Sequence, residues 1–403
     1  MPKLFLKLIK YINMRYVGTT VRGIRTPIIR DGDDLAQVVV DSVLRASKHS
    51  KFDLNDRDVV GITEAVVAIC QHNYVTVADV AKEIKEKFGD KDIALIFPIL
   101  SRNRFSLILE AITLACKNVH ILLSYPSDEV GNNIINPHAL EDSKVNPYSD
   151  SFGEARFREL FGYEFKHEFT GIDYVEYYKS FGKGVKIHFS NNPEYILEFT
   201  KNVLVCDVHT RSNTRRILEE NGAEKLFGLE DICNKKNTVR GYNEEYGLLG
   251  SNKVGEDRLK LFPRDGQELV EKIQRMLKEK TGKRIEVMIY GDGAFKDPVG
   301  KIWELADPVV SPAFTDGLIG RPNEIKLKYF SENWNEEGDL NEYITKMINE
   351  KRTENFKKEK SFGTTPRQLT DLLGSLCDLT SGSGDKGTPV VLVQGYFDDY
   401  TIE

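Results

Sequence analysis

DIALIFPILSRNRFSLILEAITLACKNVHILLS, residues 92–124, decides the class of fold. An apolar run (DIALIFPIL) gives way to apolar residues at helical spacing (NRFSLILEAITLACK), and a second β-branched and apolar run (NVHILLS) follows. Strand, helix and strand within some thirty residues make a βαβ unit, which requires a parallel pair. A second strand–helix unit stands downstream, NVLVCDV at 202–208 and SNTRRILEENG at 212–222.

Working outward, Asp33 to Ser50 reads as a helix with Asp33 accepting from its first turn. Residues 56–71 (DRDVVGITEAVVAICQ) read as one buried strand with a polar interruption at Thr63 and Glu64. Thr76 to Phe88 is a helix ended by Gly89. Residues 125–165, rich in Asn, Pro, Ser and Asp, read as a long loop or a cover over a site. Residues 266–282, 338–351 and 365–380 are helical in pattern, and 284–290 and 388–397 are strands. The fold class is α/β or α+β.

Composition sets the outer bounds. The chain has 403 residues, with 56 basic against 62 acidic side chains and a net charge of −6. That length suits two or three domains, or one domain with a large insertion. A mild negative balance argues against a nucleic-acid binder, which carries a basic face. No run reaches the ~20 apolar residues of a membrane span. Cys70, Cys116, Cys206, Cys233 and Cys377 form no CxxC pair, so neither a disulfide framework nor a zinc site is expected, and a cytoplasmic location fits. Residues 1–13 carry Lys3, Lys7 and Lys10 among apolar residues. They lack the unbroken apolar core of a signal peptide and read as a non-essential extension.

Several loops could carry chemistry. SGSGDKGTP, 381–389, holds a GxGxxG at Gly382, Gly384 and Gly387, but a helix precedes it and a strand follows, the reverse of the dinucleotide-binding order. Its backbone N–H groups could still cradle an anion, with Lys386 adding charge and Asp385 a metal-ligand oxygen; a flexible connection is the plain alternative. YGDGAFKDP, 290–298, puts Asp292 at the carboxyl end of a strand, a site for magnesium or manganese, with Asp297 in reserve and an Asp-Gly turn as the alternative. Glu304 and Asp307 could share one face of a short helix. Arg102 and Arg104, where a strand passes into a helix, would make an anion site or a pair of surface arginines. Asp207 and His209 would point the same way at a strand end, as a ligand or acid–base pair. There is no GxxxxGK[ST], no GxSxG and no kinase motif set.

Read in order, five segments resemble the coenzyme F420-0:L-glutamate ligase family: GIRTPIIRDGDDLAQVV (23–39), DVVGITEAVVAICQ (58–71), GLLGSNKVGEDRLKLFPRDG (247–266), VMIYGDGAF (287–295) and TDLLGSLCDLTSGSGDKGTPVVLVQG (370–395). The resemblance implies a mixed-sheet γ-glutamyl-ligase-like core over 15–89 and 240–403, an inserted βαβ-containing segment over 90–239, and an extension at 1–14. It implies a ligase that joins the amine of L-glutamate to an acceptor carboxylate through an acyl phosphate, with GTP or ATP as co-substrate and Mg2+ or Mn2+, and leaves K+ open. It implies a homodimer, while charge and the absence of a long apolar run speak for no nucleic-acid or membrane partner.

The resemblance and the Gly-rich loop together give Gly23, Thr63, Asn252, Gly382, Ser383, Gly384, Asp385 and Lys386 as the expected nucleotide contacts. Asp292 retains the aspartate of the family's Asp-Thr metal pair, while Gly293 replaces its threonine. Leu249 replaces another metal aspartate, Glu64 and Ala68 replace two lysines, and Ser383 replaces a glutamine. Glu64, Asp385 or Glu304 could make up the lost ligand, and Arg102, Arg104 or Lys386 the lost charge. The expected catalytic set is therefore Asp292, Arg102 and Arg104, with Asp292, Glu64 and Asp385 at the metal. The acceptor is F420-0 or a relative; folate or another carboxylate, a phosphotransferase that stops at the acyl phosphate, and a non-catalytic nucleotide-binding relative are the alternatives.

Overall fold

A computed structural model describes residues 17–128, 131–163, 166, 171–236, 240–291, 295–296, 303–304, 312–320, 326–334, 338–352, 368–382 and 386–398. The extension at 1–14 lies outside them.

The first stretch runs Thr20–Ile24 (β1), Leu35–Ser50 (α1), Val59–Thr63 (β2), Glu64–Cys70 (α2), Tyr74–Thr76 (β3) and Val77–Phe88 (α3). Two expectations are corrected here. Asp34, not Asp33, caps α1, accepting from the Gln37 N–H, while Asp33 accepts from the Arg30 N–H. The run 56–71 is not one strand: it breaks at Thr63, and Glu64 opens a helix. Glu64 in the first turn suits the positive end of the helix dipole, and Ala65 and Ala68 favour the helix over further strand.

The middle stretch carries Ile93–Ile96 (β4), Ser106–Ala115 (α4), Val119–Leu123 (β5), Pro137–Ser143 (α5), Phe152–Gly153 (β6), Glu154–Phe161 (α6), Tyr174–Lys179 (α7), Val185–Phe189 (β7), Asn202–Val205 (β8), Arg211–Glu220 (α8) and Lys225–Gly228 (β9). The expected βαβ unit is present, with β4 and β5 parallel. The segment 125–165 is more than a loop, since it holds α5, β6 and α6. Six strands form one sheet in the order β6-β7-β5-β4-β8-β9. All neighbours are parallel except the short edge strand β6. Leaving β6 aside, the chain fills the sheet as 3-2-1-4-5, the doubly wound order, with its switch point between β4 and β8. The central strands β4, β5 and β8 are buried on both faces. Leu95, Ile121 and Leu204 face one core, and Ala94, Ile96, Leu122, Val203 and Val205 face the other.

The last stretch carries Asn252–Val254 (β10), Arg258–Lys260 (β11), Gly266–Thr281 (α9), Glu286–Tyr290 (β12), Phe295–Lys296 (β13), Trp303–Glu304 (β14), Ala313–Phe314 (β15), Leu327–Asn333 (α10), Leu340–Arg352 (α11), Leu369–Ser381 (α12) and Val390–Gln394 (β16). Glu304 therefore sits on a two-residue strand rather than a helix, and Asp297 and Asp307 lie outside the described residues.

A second, five-stranded sheet has the order β1-β16-β2-β12-β15. Alternation along its strands builds two layers. Val60, Ile62, Val287, Ile289, Val390 and Leu392 pack under α1 and α9. Val59, Met288, Tyr290, Val391 and Val393 pack under Leu373 and Cys377 of α12. Gly61 faces α12 too, and a Cβ there would stand 2.6 Å from Cys377 Sγ. Strands β10, β11 and β3 form a separate antiparallel ribbon. Buried Asn73 ties it down: its Nδ2 donates to Phe262 O at 2.6 Å, and its Oδ1 accepts from the Tyr242 N–H at 3.0 Å.

Candidate functional site at the sheet edge

Strands β1, β2 and β12 run the same way, and β16 and β15 run against them. One edge of the sheet therefore collects the carboxyl ends of β1, β2 and β12 and the start of β16. Ligands of α/β sheets bind outside such carboxyl ends.

Residues from distant segments meet at this edge. Thr63 pairs in register with Tyr290, which precedes buried Gly291. The Thr63 N–H donates to Pro389 O at 3.0 Å, joining β2 to the glycine-rich connection ahead of β16. Gly23 lies across from Val391. A Cβ at Gly23 would come 2.9 Å from Thr388 Oγ1, so the close approach of β1 to Thr388 requires glycine. Helix α12 ends in Gly382, which is left-handed at φ 56°, and exposed Lys386 follows the turn. Asp292, Ser383, Gly384 and Asp385 lie outside the described residues.

The edge holds buried polar atoms that the protein does not satisfy. Thr63 Oγ1 and Thr388 Oγ1 have no hydrogen-bond partner, and neither does Ser251 Oγ nearby on the ribbon. Buried polar atoms are ordinarily paired, so these hydroxyls are open to a ligand or a water.

Behind Thr63, Glu64 is buried, with the Lys260 ammonium 4.0 Å from its carboxylate. Lys260 pairs in register with Asn252 across β10 and β11. The ribbon thus brings Ser251, Asn252 and Lys260 up against the start of α2. Lys260 was not singled out in the sequence. It lies 196 residues from Glu64, and only the ribbon pairing joins them.

The two arginines fall differently. Arg104 is buried, and its Nη1 donates to Gly250 O at 3.3 Å. It fastens the β4–α4 loop to the segment 247–252 rather than presenting a surface charge. Arg102 is exposed on the same loop. The Lys253 N–H donates to Asn103 O at 2.9 Å, and the Leu248 N–H to Leu229 O at 3.0 Å. The loop 247–253 therefore runs along the carboxyl edge of the six-stranded sheet as well. Leu249, where the family has a metal aspartate, is buried in the apolar core of that sheet.

Asp207 and His209 do not form the expected pair. Asp207 is fully buried and accepts from the Thr210 and Thr214 hydroxyls, while His209 is exposed. Burial raises the Asp207 pKa. Burial also pushes the thiols of Cys70 and Cys377 to about 11 and about 12, so neither is a thiolate near neutral pH. Among the described residues no cluster of three His, Cys, Asp or Glu side chains is arranged to hold a metal. A cavity of ≈ 880 Å³ opens at the opposite edge of the sheet, between Arg22, Arg57, Asp58 and Gln394, and shares none of these residues.

Fold and edge together are consistent with an α+β ligase core. The chain belongs to the F420-0:gamma-glutamyl ligase family, whose sequence model matches residues 23–395, nearly the whole chain. The family consists of ligases that take glutamate and the carboxylate of F420-0 as substrates. No curated protein matches the sequence. No helix among the described residues is long and apolar enough to cross a membrane.

Proposed function

We propose that this chain uses a nucleoside triphosphate to join the amine of L-glutamate to the carboxylate of F420-0. The observation that carries the reading is the convergence of Gly23, Thr63, Glu64, Gly291 and Thr388 on one sheet edge, with Asn252 of the ribbon beside it. The terminal phosphoryl group passes to an acceptor carboxylate oxygen and the nucleoside diphosphate leaves. The glutamate amine then attacks the acyl carbon, phosphate departs with its bonding pair, and the amine loses a proton. Such chemistry asks the protein mainly for in-line positioning and for charge to meet the phosphates.

The donors present suit a hard divalent cation. The Glu64 carboxylate stands beside the unpartnered Thr63 hydroxyl, and Asp292 follows Gly291 in the chain. A bound Mg2+ or Mn2+ would neutralise phosphate charge. Glu64 and Asp292 would hold it, and Thr63, Asn252 and the segment 382–386 would hold the nucleotide.

Burial of Leu249 favours a second reading, a relative that binds nucleotide without turnover. One assay separates the two. The protein is incubated with GTP or ATP, Mg2+ or Mn2+, glutamate, and either F420-0 or a reduced folate, and the products are weighed by mass spectrometry. A product heavier by one glutamyl residue, with one phosphate released per amide, is expected with F420-0. Glu64→Gln and Asp292→Asn should each abolish the metal-dependent turnover. Saturable nucleotide binding with no amide product on any acceptor would establish the second reading instead.

A further inference from the structure

We propose that Lys260 is the phosphate-binding cation of the edge site, taking the terminal phosphates of the nucleotide together with the hydroxyls of Thr63 and Ser251. The inference rests on the nucleotide-dependent reading above and adds a residue to it.

Lys260 ends β11, and its side chain is only 13% exposed. A largely shielded ammonium carries three donors and gains from acceptors for them. Among the described residues its one ionic partner is Glu64, at 4.0 Å, which is beyond hydrogen-bond length. The cation is thus held near the edge by a long ion pair alone among its ionic contacts. Two further groups there lack a hydrogen-bond partner. Thr63, next to Glu64 in the chain, and Ser251, next to the Asn252 that pairs with Lys260, are both buried with unpartnered hydroxyls. Two hydroxyl donors and an ammonium, carried by three different elements, call for one ligand with several anionic oxygens. A phosphate chain has them.

The other cations are placed less well. Arg104 is committed to Gly250 O, and Arg102 and Lys386 are exposed. In the family resemblance, the lysine that follows the early strand falls on Glu64, so the positive charge has moved from the start of α2 to the ribbon facing it.

The test uses the full chain. Affinity for GTP and for ATP is measured by direct titration on the wild type, Lys260→Gln and Lys260→Arg. Melting temperature and the separate KM values for nucleotide, glutamate and acceptor are measured alongside. Lys260→Gln is expected to weaken nucleotide binding roughly tenfold or more, the loss of one charge-assisted contact. Lys260→Arg should recover most of it, and the glutamate KM should not move. The proposal is overturned if Lys260→Gln binds nucleotide like the wild type while melting lower, because Lys260 would then serve only as Glu64's ion-pair partner. A loss confined to the glutamate or acceptor KM overturns it as well and gives the cation to a substrate carboxylate. So does a wild type that binds neither nucleotide. The ligase reading fails separately, if the wild type binds nucleotide but forms no amide, and the titration still reports on Lys260.

Discussion

Leu249 shows how one side chain can leave a site and join a core. Its side chain is 1% exposed among Leu248, Leu229, Leu259 and Leu261. Restoring the family's aspartate by Leu249→Asp would place a carboxylate there with no partner and leave a void where the isobutyl group packed. The expected cost is at least ~3 kcal/mol, read as a lower urea midpoint, with no rise in melting temperature on adding Mn2+. A stable variant that melts higher with Mn2+ would show that position 249 still reaches the site. The sequence displayed the loss of the aspartate but not this burial, because a leucine in GLLGSN reads the same in a loop as in a core. Gly61 is a second case. It passes in sequence as an ordinary strand glycine, yet its missing Cβ makes room for Cys377. Gly61→Ala should destabilise by about 1–3 kcal/mol through overpacking, and chemical denaturation measures it directly.

At the scale of elements, caps and local periodicity were legible and long-range pairing was not. Helix α3 begins where a capping box is written into TVAD: Thr76 Oγ1 accepts from the Asp79 N–H, and Asp79 Oδ2 accepts from the Thr76 N–H. Thr76→Ala should cost about 1 kcal/mol in a thermal melt and leave turnover unchanged. The break between β2 and α2 at Thr63 was missed because Val, Ala and Ile on either side suit both states, and tertiary pairing decided. No local signal announced the pair His120 and His188 on adjacent parallel strands. Their rings stack, and Nδ1 of His120 lies 3.1 Å from Nε2 of His188. Burial, with the neighbouring His120 and Lys186, depresses the His188 pKa to about 4, and burial lowers that of His120 too. An unfolded histidine titrates near ~6.5. Above that pH both states are neutral and the folded state keeps its full stability. As the pH falls from there toward 4, only the unfolded chain takes up the proton, so stability declines. The loss at His188 reaches roughly 3 kcal/mol. Melting curves from pH 7 to 4 should show this decline, and His188→Gln should flatten it. An equally steep decline in the variant would assign it to other groups.

At the scale of the whole molecule, the strip 247–253 is one link between the two sheets. Parallel strands were legible in the middle segment, but their 3-2-1-4-5 order was not, since β4, β5, β7 and β8 are interchangeable apolar runs whose neighbours are settled by packing. That order places the carboxyl ends of β4 and β9 beside residues 247–253, where Asn103 O, Arg104 and Leu229 O each hold the strip. The strip continues through Asn252 and, across the ribbon, reaches Lys260 and Glu64 at the edge of the other sheet. A ligand that orders Asn252 and Lys260 would therefore also steady the β4–α4 loop, because the Lys253 N–H to Asn103 O bond ties the two together. Amide exchange tests this coupling. Saturating nucleotide should slow exchange at Lys253 and Leu248, and over residues 101–105 on the far sheet. Arg104→Met, which leaves Gly250 O without this donor, should remove the protection of 101–105 while nucleotide still protects Thr63. Protection confined to Thr63 and its neighbours in the wild type would mean that the six-stranded sheet does not respond to the site beside it.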